Sequence, residues 1–245
     1  MEMERENMRK GVGLLLTAVL VLCLAEAQTY AQKKRRSEGR GREGGWIVLF
    51  DGKSTDAWRG YRRDSFPTGG WTIENGALKT IVGGDRVDLI TKEKFKNFEF
   101  ECEWNVSPGG NSGIIYLVSE TEPDSWRTGP EMQVLDDERH RDGRNPKTSA
   151  GALYGLIAPS PDKVVKPAGQ YNKARLVVKD GHVEHWLNGK KIVEYQLGSP
   201  ELQKLIAESK FKDMPNFAKQ TEGHIVLQHH GEEVRFRNIR VRRLP

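Results

Sequence analysis

Residues 175–197 read RLVVK-DG-HVEHWL-NG-KKIVEYQL. Three runs of alternating apolar and polar residues are separated by two turn pairs, Asp180-Gly181 and Asn188-Gly189. Asp-Gly and Asn-Gly accept the positive backbone φ that a two-residue hairpin needs, and a period of two is a strand signal. The segment is therefore a three-strand antiparallel meander. The same grammar recurs on both sides of it. Residues 71–74 stop at Asn75-Gly76 and resume over 77–81, and residues 46–50 end at Asp51-Gly52. Residues 98–104, FEFECEW, alternate strictly, with Phe98, Phe100, Cys102 and Trp104 on one face and Glu99, Glu101 and Glu103 on the other. Further strands are predicted at 114–118, 131–135, 224–229 and 234–241. Ser199-Pro200-Glu201 opens one short helix near 200–210, with Ser as N-cap, Pro in the first turn and Leu202, Leu205 and Ile206 as its apolar stripe. About a dozen short strands and one helix predict an all-β fold over 46–245, a two-sheet antiparallel sandwich of jelly-roll type. No internal repeat supports a propeller or solenoid.

The 245 residues are 36% hydrophobic and 30% charged, with six Trp, eight Phe and six Tyr, enough for one core. Residues 1–31 have a polar start ending in Arg9-Lys10, an apolar run over 11–25 and small-residue cleavage sites at Ala25-Glu26-Ala27 and Thr29-Tyr30-Ala31. That order is a secretory signal peptide, and the run is short for a bilayer span. Export to the periplasm or the extracellular space is expected, with no membrane attachment after cleavage. Residues 32–45, QKKRRSEGRGREGG, form a basic linker. Its Gly39, Gly41 and Gly44 spell G-x-G-x-x-G, but no strand precedes them, so a dinucleotide site is excluded. Residues 46–245 carry 30 basic and 28 acidic side chains. The overall charge of +5 thus belongs mainly to the tail, and nucleic-acid binding is not implied. Cys23 and Cys102 cannot build a disulfide framework or a cysteine zinc site.

Three places carry residue types suited to chemistry. Glu99, Glu101 and Glu103 share a strand face about 7 Å apart, within the separation of a glycosidase carboxylate pair. The plainer reading is a solvated face opposite a core face. The segment WRTGPEMQVLDDERH over 126–140 gathers Trp126, Arg127, Glu131, Gln133, Asp136 and His140. Glu131 and Gln133 share a face, and the imidazole is a proton shuttle near neutral pH. The same acids and His140 also have the chemistry of a divalent-cation site. In GHIVLQHHG over 223–231, Gln228 and His230 share a face while His229 points the other way. His182 and His185 read as structural.

The chain from Trp46 to Leu244 resembles the 3-keto-disaccharide hydrolase domain family. The marks are Leu49-Phe50-Asp51-Gly52 with Trp58, Gly110-Asn111-Ser112-Gly113-Ile114, Glu131-x-Gln133-x-Leu135-Asp136 and Leu153-Tyr154-Gly155 with Ala158-Pro159. They continue with Lys166-Pro167-x-Gly169-x-Tyr171-Asn172, Leu187-Asn188-Gly189, Gly223-x-Ile225-x-Leu227-Gln228-x-His230-Gly231 and Phe236-Arg237-Asn238-Ile239. Tyr171 stands where the family commonly has Trp, and His229 where it commonly has Asp. The resemblance implies a concanavalin A-like sandwich and cleavage of glycosides oxidised at C3. A 3-keto group acidifies the C2 proton, so a base can form an enolate and the C1 leaving group can depart, with water adding afterwards. Such a site needs a base, an oxyanion stabiliser and a cradle for hydroxyls, and a metal ion is one form the stabiliser can take. The expected catalytic residues are Glu131, His140 and His230. Asn111, Trp126, Arg127, Gln133, Asp136, Lys166, Gln228 and Arg237 are expected to bind the glycoside. The rival readings are a retaining glycosidase using Glu99, Glu101 and Glu103, and a lectin-like binding module.

Overall fold

At Asn75, Asp180 and Asn188 the φ angles are 51°, 50° and 49°, and the glycine after each is also positive, at 73°, 79° and 87°. Two successive positive φ values make the turn whose twist matches paired strands. These turns close the hairpins of β3 (Trp71–Glu74) with β4 (Ala77–Thr80), and of β9 (Asn172–Lys179) with β10 (His182–Leu187) and then β11 (Lys190–Gln196). The computed structural model describes residues 45–245. The signal peptide predicted over 1–31 and nearly all of the predicted linker lie outside the described residues.

The remaining strands are β1 (Ile47–Phe50), β2 (Trp58–Gly60), β5 (Leu89–Thr91), β6 (Phe98–Val106), β7 (Asn111–Val118), β8 (Glu131–Leu135), β12 (His224–Leu227) and β13 (Val234–Arg243). They form two antiparallel sheets. One has eight strands in the order β11-β10-β9-β6-β13-β4-β3, with β1 also on β13. The other has five, β2-β5-β12-β7-β8. The jelly-roll expectation is met. β2 and β5 have no counterpart in the sequence reading, because three residues are too few to show a period. Trp58 fixes β2 by burying its ring and donating from Nε1 to the Leu49 carbonyl (2.9 Å).

Between the sheets lies the core. Phe98, Phe100, Cys102 and Trp104 of β6 point into it, with Phe236, Val241, Ile114, Tyr116, Met132, Val134 and Leu227 from neighbouring strands. Full burial stabilises by about 1.5–3 kcal/mol for each large apolar side chain. A polar chain crosses the core. Tyr195 Oη lies 2.6 Å from Tyr116 Oη, which lies 2.8 Å from His185 Nε2, and His185 Nδ1 donates to the Gly151 carbonyl (3.0 Å). It ties β7 of one sheet to β10 and β11 of the other. Burial pushes the His185 pKa down to about 4, so the ring is neutral and Nε2 accepts from Tyr116.

α1 (Pro200–Ala207) begins where the sequence places it, with Ser199 Oγ accepting from the Leu202 N–H (3.2 Å). It buries Leu202 against the core. No helix among the described residues is long and apolar enough to cross a membrane.

Candidate active site

Register decides which side chains meet. Asn111, Gly113 and Ile115 of β7 pair with Leu135, Gln133 and Glu131 of β8, and Ile115 pairs with Val226 of β12, which pairs with Ile90 of β5. Paired residues share a face. The other face of these strands fills the inter-sheet core, so this set lies on the outer face of the five-stranded sheet. Ile90, Ile115 and Val226 make an apolar floor there with Val118 and Tyr61, and Trp126 packs against it. The polar residues continue along the same strands: Glu131, Gln133 and Asn111, Gln228 beyond Val226, and Asp88 before Ile90.

Glu131 is a buried acid of this group. Its carboxyl lies across β7 over Gly113, where a Cβ would fall well inside contact distance of Oε1. The glycine of the Asn111-Ser112-Gly113 string is therefore a space requirement. Burial raises the Glu131 pKa to about 8; the Lys210 charge opposes the rise, and Asp88 and Asp142 reinforce it. The carboxyl is thus largely protonated near neutral pH. The Gln133 amide is satisfied when its nitrogen donates to the Ser112 carbonyl (2.8 Å) and Glu131 Oε1 (3.1 Å). The other end of that amide lies 3.4 Å from the Asn111 amide, which in turn lies 3.5 Å from His140 Nε2. The His140 ring stands edge-on to His230, with centroids 6.2 Å apart. One polar chain therefore runs from Glu131 through Gln133 and Asn111 to the two imidazoles.

The loop after β8 builds a wall from two short 3-10 turns, Arg141–Arg144 and Pro146–Thr148. Asp137 anchors it, accepting from the Ala150 N–H (2.7 Å) and from Lys163 Nζ (2.8 Å). Within the wall the Asp142 N–H donates to His140 Nδ1 (3.1 Å), and Tyr154 Oη donates to Asp142 Oδ2 (3.2 Å). Lys210 reaches in from beyond α1. Its Nζ lies 4.2 Å from the Tyr154 ring centre, 5.0 Å from Phe211 and 5.2 Å from Trp126. Three ring faces hold the ammonium. Burial lowers its pKa, against the pull of Glu131 and Asp142. On the far side Asp88 accepts from Ser125 Oγ (2.5 Å) and the His229 N–H (2.9 Å), and burial raises its pKa.

Of the residues predicted from sequence, Glu131, Gln133, Asn111, His140 and His230 come together, with Gln228 and Trp126 beside them. Arg127 sits at the rim, stacked 5.0 Å over Trp126 and paired with Asp124. Asp136 is held apart as a loop anchor, its carboxylate accepting from the Gly109 N–H (2.7 Å) and the Glu138 N–H (3.1 Å). Lys166 and Arg237 do not join the group, contrary to the expectation that they line the same face. Lys166 donates to the Tyr171 carbonyl (2.9 Å), and Arg237 stacks 3.7 Å over Tyr171 while donating to Glu103 (2.7 Å). Both belong to the outer side of the eight-stranded sheet. His229 turns inward, edge-on to Trp71 at 5.7 Å, and does not join His140 and His230.

Glu99, Glu101 and Glu103 follow the plainer reading. Glu99 pairs with Arg175 and Arg242, Glu101 with Arg240 and Lys173, and Glu103 with Arg237. Hydrogen bonds and charge from these partners outweigh burial and lower the pKa of Glu101 and Glu103, the reverse of what a general acid needs. Glu131, Asp136 and His140 do not bring ligand atoms to one point. The group of described residues that does is His182, Glu184 and Glu194 on the β10–β11 hairpin, where Lys191 pairs with both acids. A cavity of about 490 Å³ beside α1 is lined in part by Leu117, Leu202, Ile206 and Phe217 and shares no residue with the acid–imidazole cluster.

A buried acid with a raised pKa, two neighbouring imidazoles and an aromatic wall thus share one face of the five-stranded sheet. Residues 45–242 match the model of the 3-keto-alpha-glucoside-1,2-lyase-like domain, and the chain belongs to that family. It is 40% identical over 228 residues to a 3-keto-disaccharide hydrolase of Bacteroides thetaiotaomicron, covering 81% of this chain and 78% of that protein. A crystal structure from Parabacteroides distasonis, of a protein provisionally named a glycosyl hydrolase, superposes with a TM-score of 0.75 at 30% identity over 82% of this chain and 94% of that one. A galectin-like protein of Bacillus subtilis shares the fold, with a TM-score of 0.51 at 14% identity over 82% and 97% of the two chains.

Proposed function

We propose that this carbohydrate hydrolase cleaves 3-keto glycosides by elimination and hydration. A base takes the C2 proton, which the 3-keto group acidifies, and the electron pair is held as an enolate. The enolate collapses, the C1–oxygen bond breaks and the leaving oxygen takes a proton from an acid. Water then adds across the C1–C2 double bond, so the net change is hydrolysis.

The observation that carries this reading is Glu131. It is an acid kept protonated near neutral pH by burial, joined through Gln133 and Asn111 to two imidazoles. Glu131 protonates the leaving group and an imidazole is the base. Lys210, caged by Tyr154, Trp126 and Phe211, supplies positive charge for the enolate oxygen. Gln228, Asn111 and Trp126 offer hydrogen bonds and a flat face to the sugar. The name of the Bacteroides thetaiotaomicron relative supports the keto-sugar substrate. The export signal read over residues 1–31 completes the proposal: the enzyme works outside the cytoplasm.

The test is a product assay. The protein is incubated with a 3-keto disaccharide and with its unoxidised parent, with and without chelator, and free sugar is measured. Release from the keto substrate alone is the expected result. Release from the unoxidised parent at a similar rate would refute the enolate route. Chelator sensitivity would transfer the role given to Lys210 to a metal ion.

A further inference from the structure

Two imidazoles face each other in the site, and their hydrogen bonds give them opposite polarity. A backbone N–H can only donate, so the lone pair of His140 Nδ1 is occupied by the Asp142 N–H at 3.1 Å. In the neutral ring the proton then sits on Nε2, the atom that faces Asn111. The amide chain agrees with this. With the Gln133 nitrogen committed to Ser112 and Glu131, its oxygen faces Asn111. Turning the Asn111 amide in the same way sets its nitrogen toward Gln133 and its oxygen toward His140 Nε2–H, and at 3.5 Å that long contact leaves the hydrogen to a substrate. His230 is wired the other way. A carboxylate can only accept, so His230 Nδ1–H donates to Glu232 Oε2 at 2.9 Å. The free lone pair is then on Nε2. That ring is open to solvent, with 45% of the side chain exposed, as a base must be to reach substrate. A contact this exposed adds little to stability, so its effect is on orientation and tautomer.

We propose that His230 is the base that removes the C2 proton, that Glu232 is its positioning residue, and that His140 enters the reaction as a hydrogen donor through Nε2. The assignment rests on the keto-glycoside reading of this site. It names which imidazole does which half of the work, and it adds Glu232, a residue that sequence motifs did not single out.

The test uses the whole protein and two substrates. A 3-keto disaccharide reports cleavage. A 3-keto sugar with no leaving group at C1, the 1,5-anhydro alditol, reports only the exchange of its C2 hydrogen with D2O. Glutamine at position 140 still offers an N–H near the Nε2 place but offers no base. His140→Gln is therefore expected to stay within about 10-fold of wild type in exchange, while His140→Ala falls further. His230→Gln and His230→Ala are both expected to lose exchange by about 100-fold or more, the range of a general base. Glu232→Gln should lower kcat about 10-fold with KM little changed, and Glu232→Asp should recover part of the loss. Exchange that survives His230→Gln but not His140→Gln would overturn the assignment, as would a Glu232→Gln effect confined to KM. Wild-type protein that acts on neither substrate would instead refute the functional reading itself.

Discussion

Glu131 and Gly113 make one unit, since the acid occupies the space that any side chain at 113 would need. Gly113→Ala should push the carboxyl off β7 and lower kcat by about 10-fold or more, at a stability cost of about 1–3 kcal/mol for overpacking. Steady-state kinetics and denaturant midpoints check the two halves, and an unchanged kcat would mean that the carboxyl position is irrelevant. Glu131→Gln should abolish turnover of a 3-keto disaccharide and leave the fold intact. It also carries a pH signature. The folded-state pKa of Glu131 is raised from the ordinary carboxylate range to about 8, so the unfolded chain loses this proton first. The stabilisation from the neutral buried acid is complete below the unfolded pKa and is lost as pH rises through about 8. Wild type should therefore lose stability relative to Glu131→Gln between those limits, and equal pH slopes in urea titrations would contradict it. Activity should decline over the same upper limb, as the acid that protonates the leaving group ionises. Sequence placed Glu131, Gln133 and both imidazoles in the site because each sits on a strand or in a loop whose period or order could be read. Asp88, Asp142, Tyr154 and Lys210 were not legible as site residues. Each comes from a short strand edge, a 3-10 turn or a loop, where side-chain direction follows from packing and leaves no period in the sequence.

Among elements, β7 and the β9–β11 meander show how far local pattern reached. The meander was legible down to its turns, because Asp-Gly and Asn-Gly state their φ angles in the sequence. The face assignments on β6 and β8 followed from alternation and hold in the structure. What alternation could not show is the polar chain through the core, since Tyr116, His185 and Tyr195 lie on three strands and two sheets. The chain makes a prediction about the two sheets as joined elements. The His185 pKa is lowered to about 4, so between that value and the ordinary 6.5 the unfolded chain binds a proton that the native state refuses. Its contribution is complete above pH 6.5 and is lost as pH falls toward 4, by on the order of 3 kcal/mol. Denaturant midpoints at pH 7 and pH 4.5 should show this fall in wild type and a smaller fall in His185→Gln, which has no proton to take up. Parallel falls would place the acid sensitivity elsewhere.

Across the whole molecule, the sandwich presents two outer faces with opposite characters. The outer face of the eight-stranded sheet is a ladder of compensated charge, with Glu99, Glu101 and Glu103 interleaved with Arg175, Arg237, Arg240 and Arg242. The outer face of the five-stranded sheet holds acids with raised pKa, imidazoles and one caged ammonium. Composition alone could not tell the faces apart, because an E-x-E-x-E strand and a glycosidase carboxylate pair use the same residues at the same spacing. The distinction lies in the strand opposite. β13 sets Arg237 and Arg240 beside Glu103 and Glu101, and that pairing joins residues more than 130 positions apart. The consequence is testable on both faces together. Partly exposed pairs of this kind are worth about 1 kcal/mol or less. Glu101→Gln and Glu103→Gln should therefore shift stability by no more than that and change turnover of a 3-keto disaccharide by less than about 2-fold. A retaining glycosidase built on this strand would instead lose all activity with either change, and would act on unoxidised glucans before it. If Glu103→Gln silenced the enzyme while Glu131→Gln did not, the active face would be the charged ladder, and the acid–imidazole cluster would be a structural network.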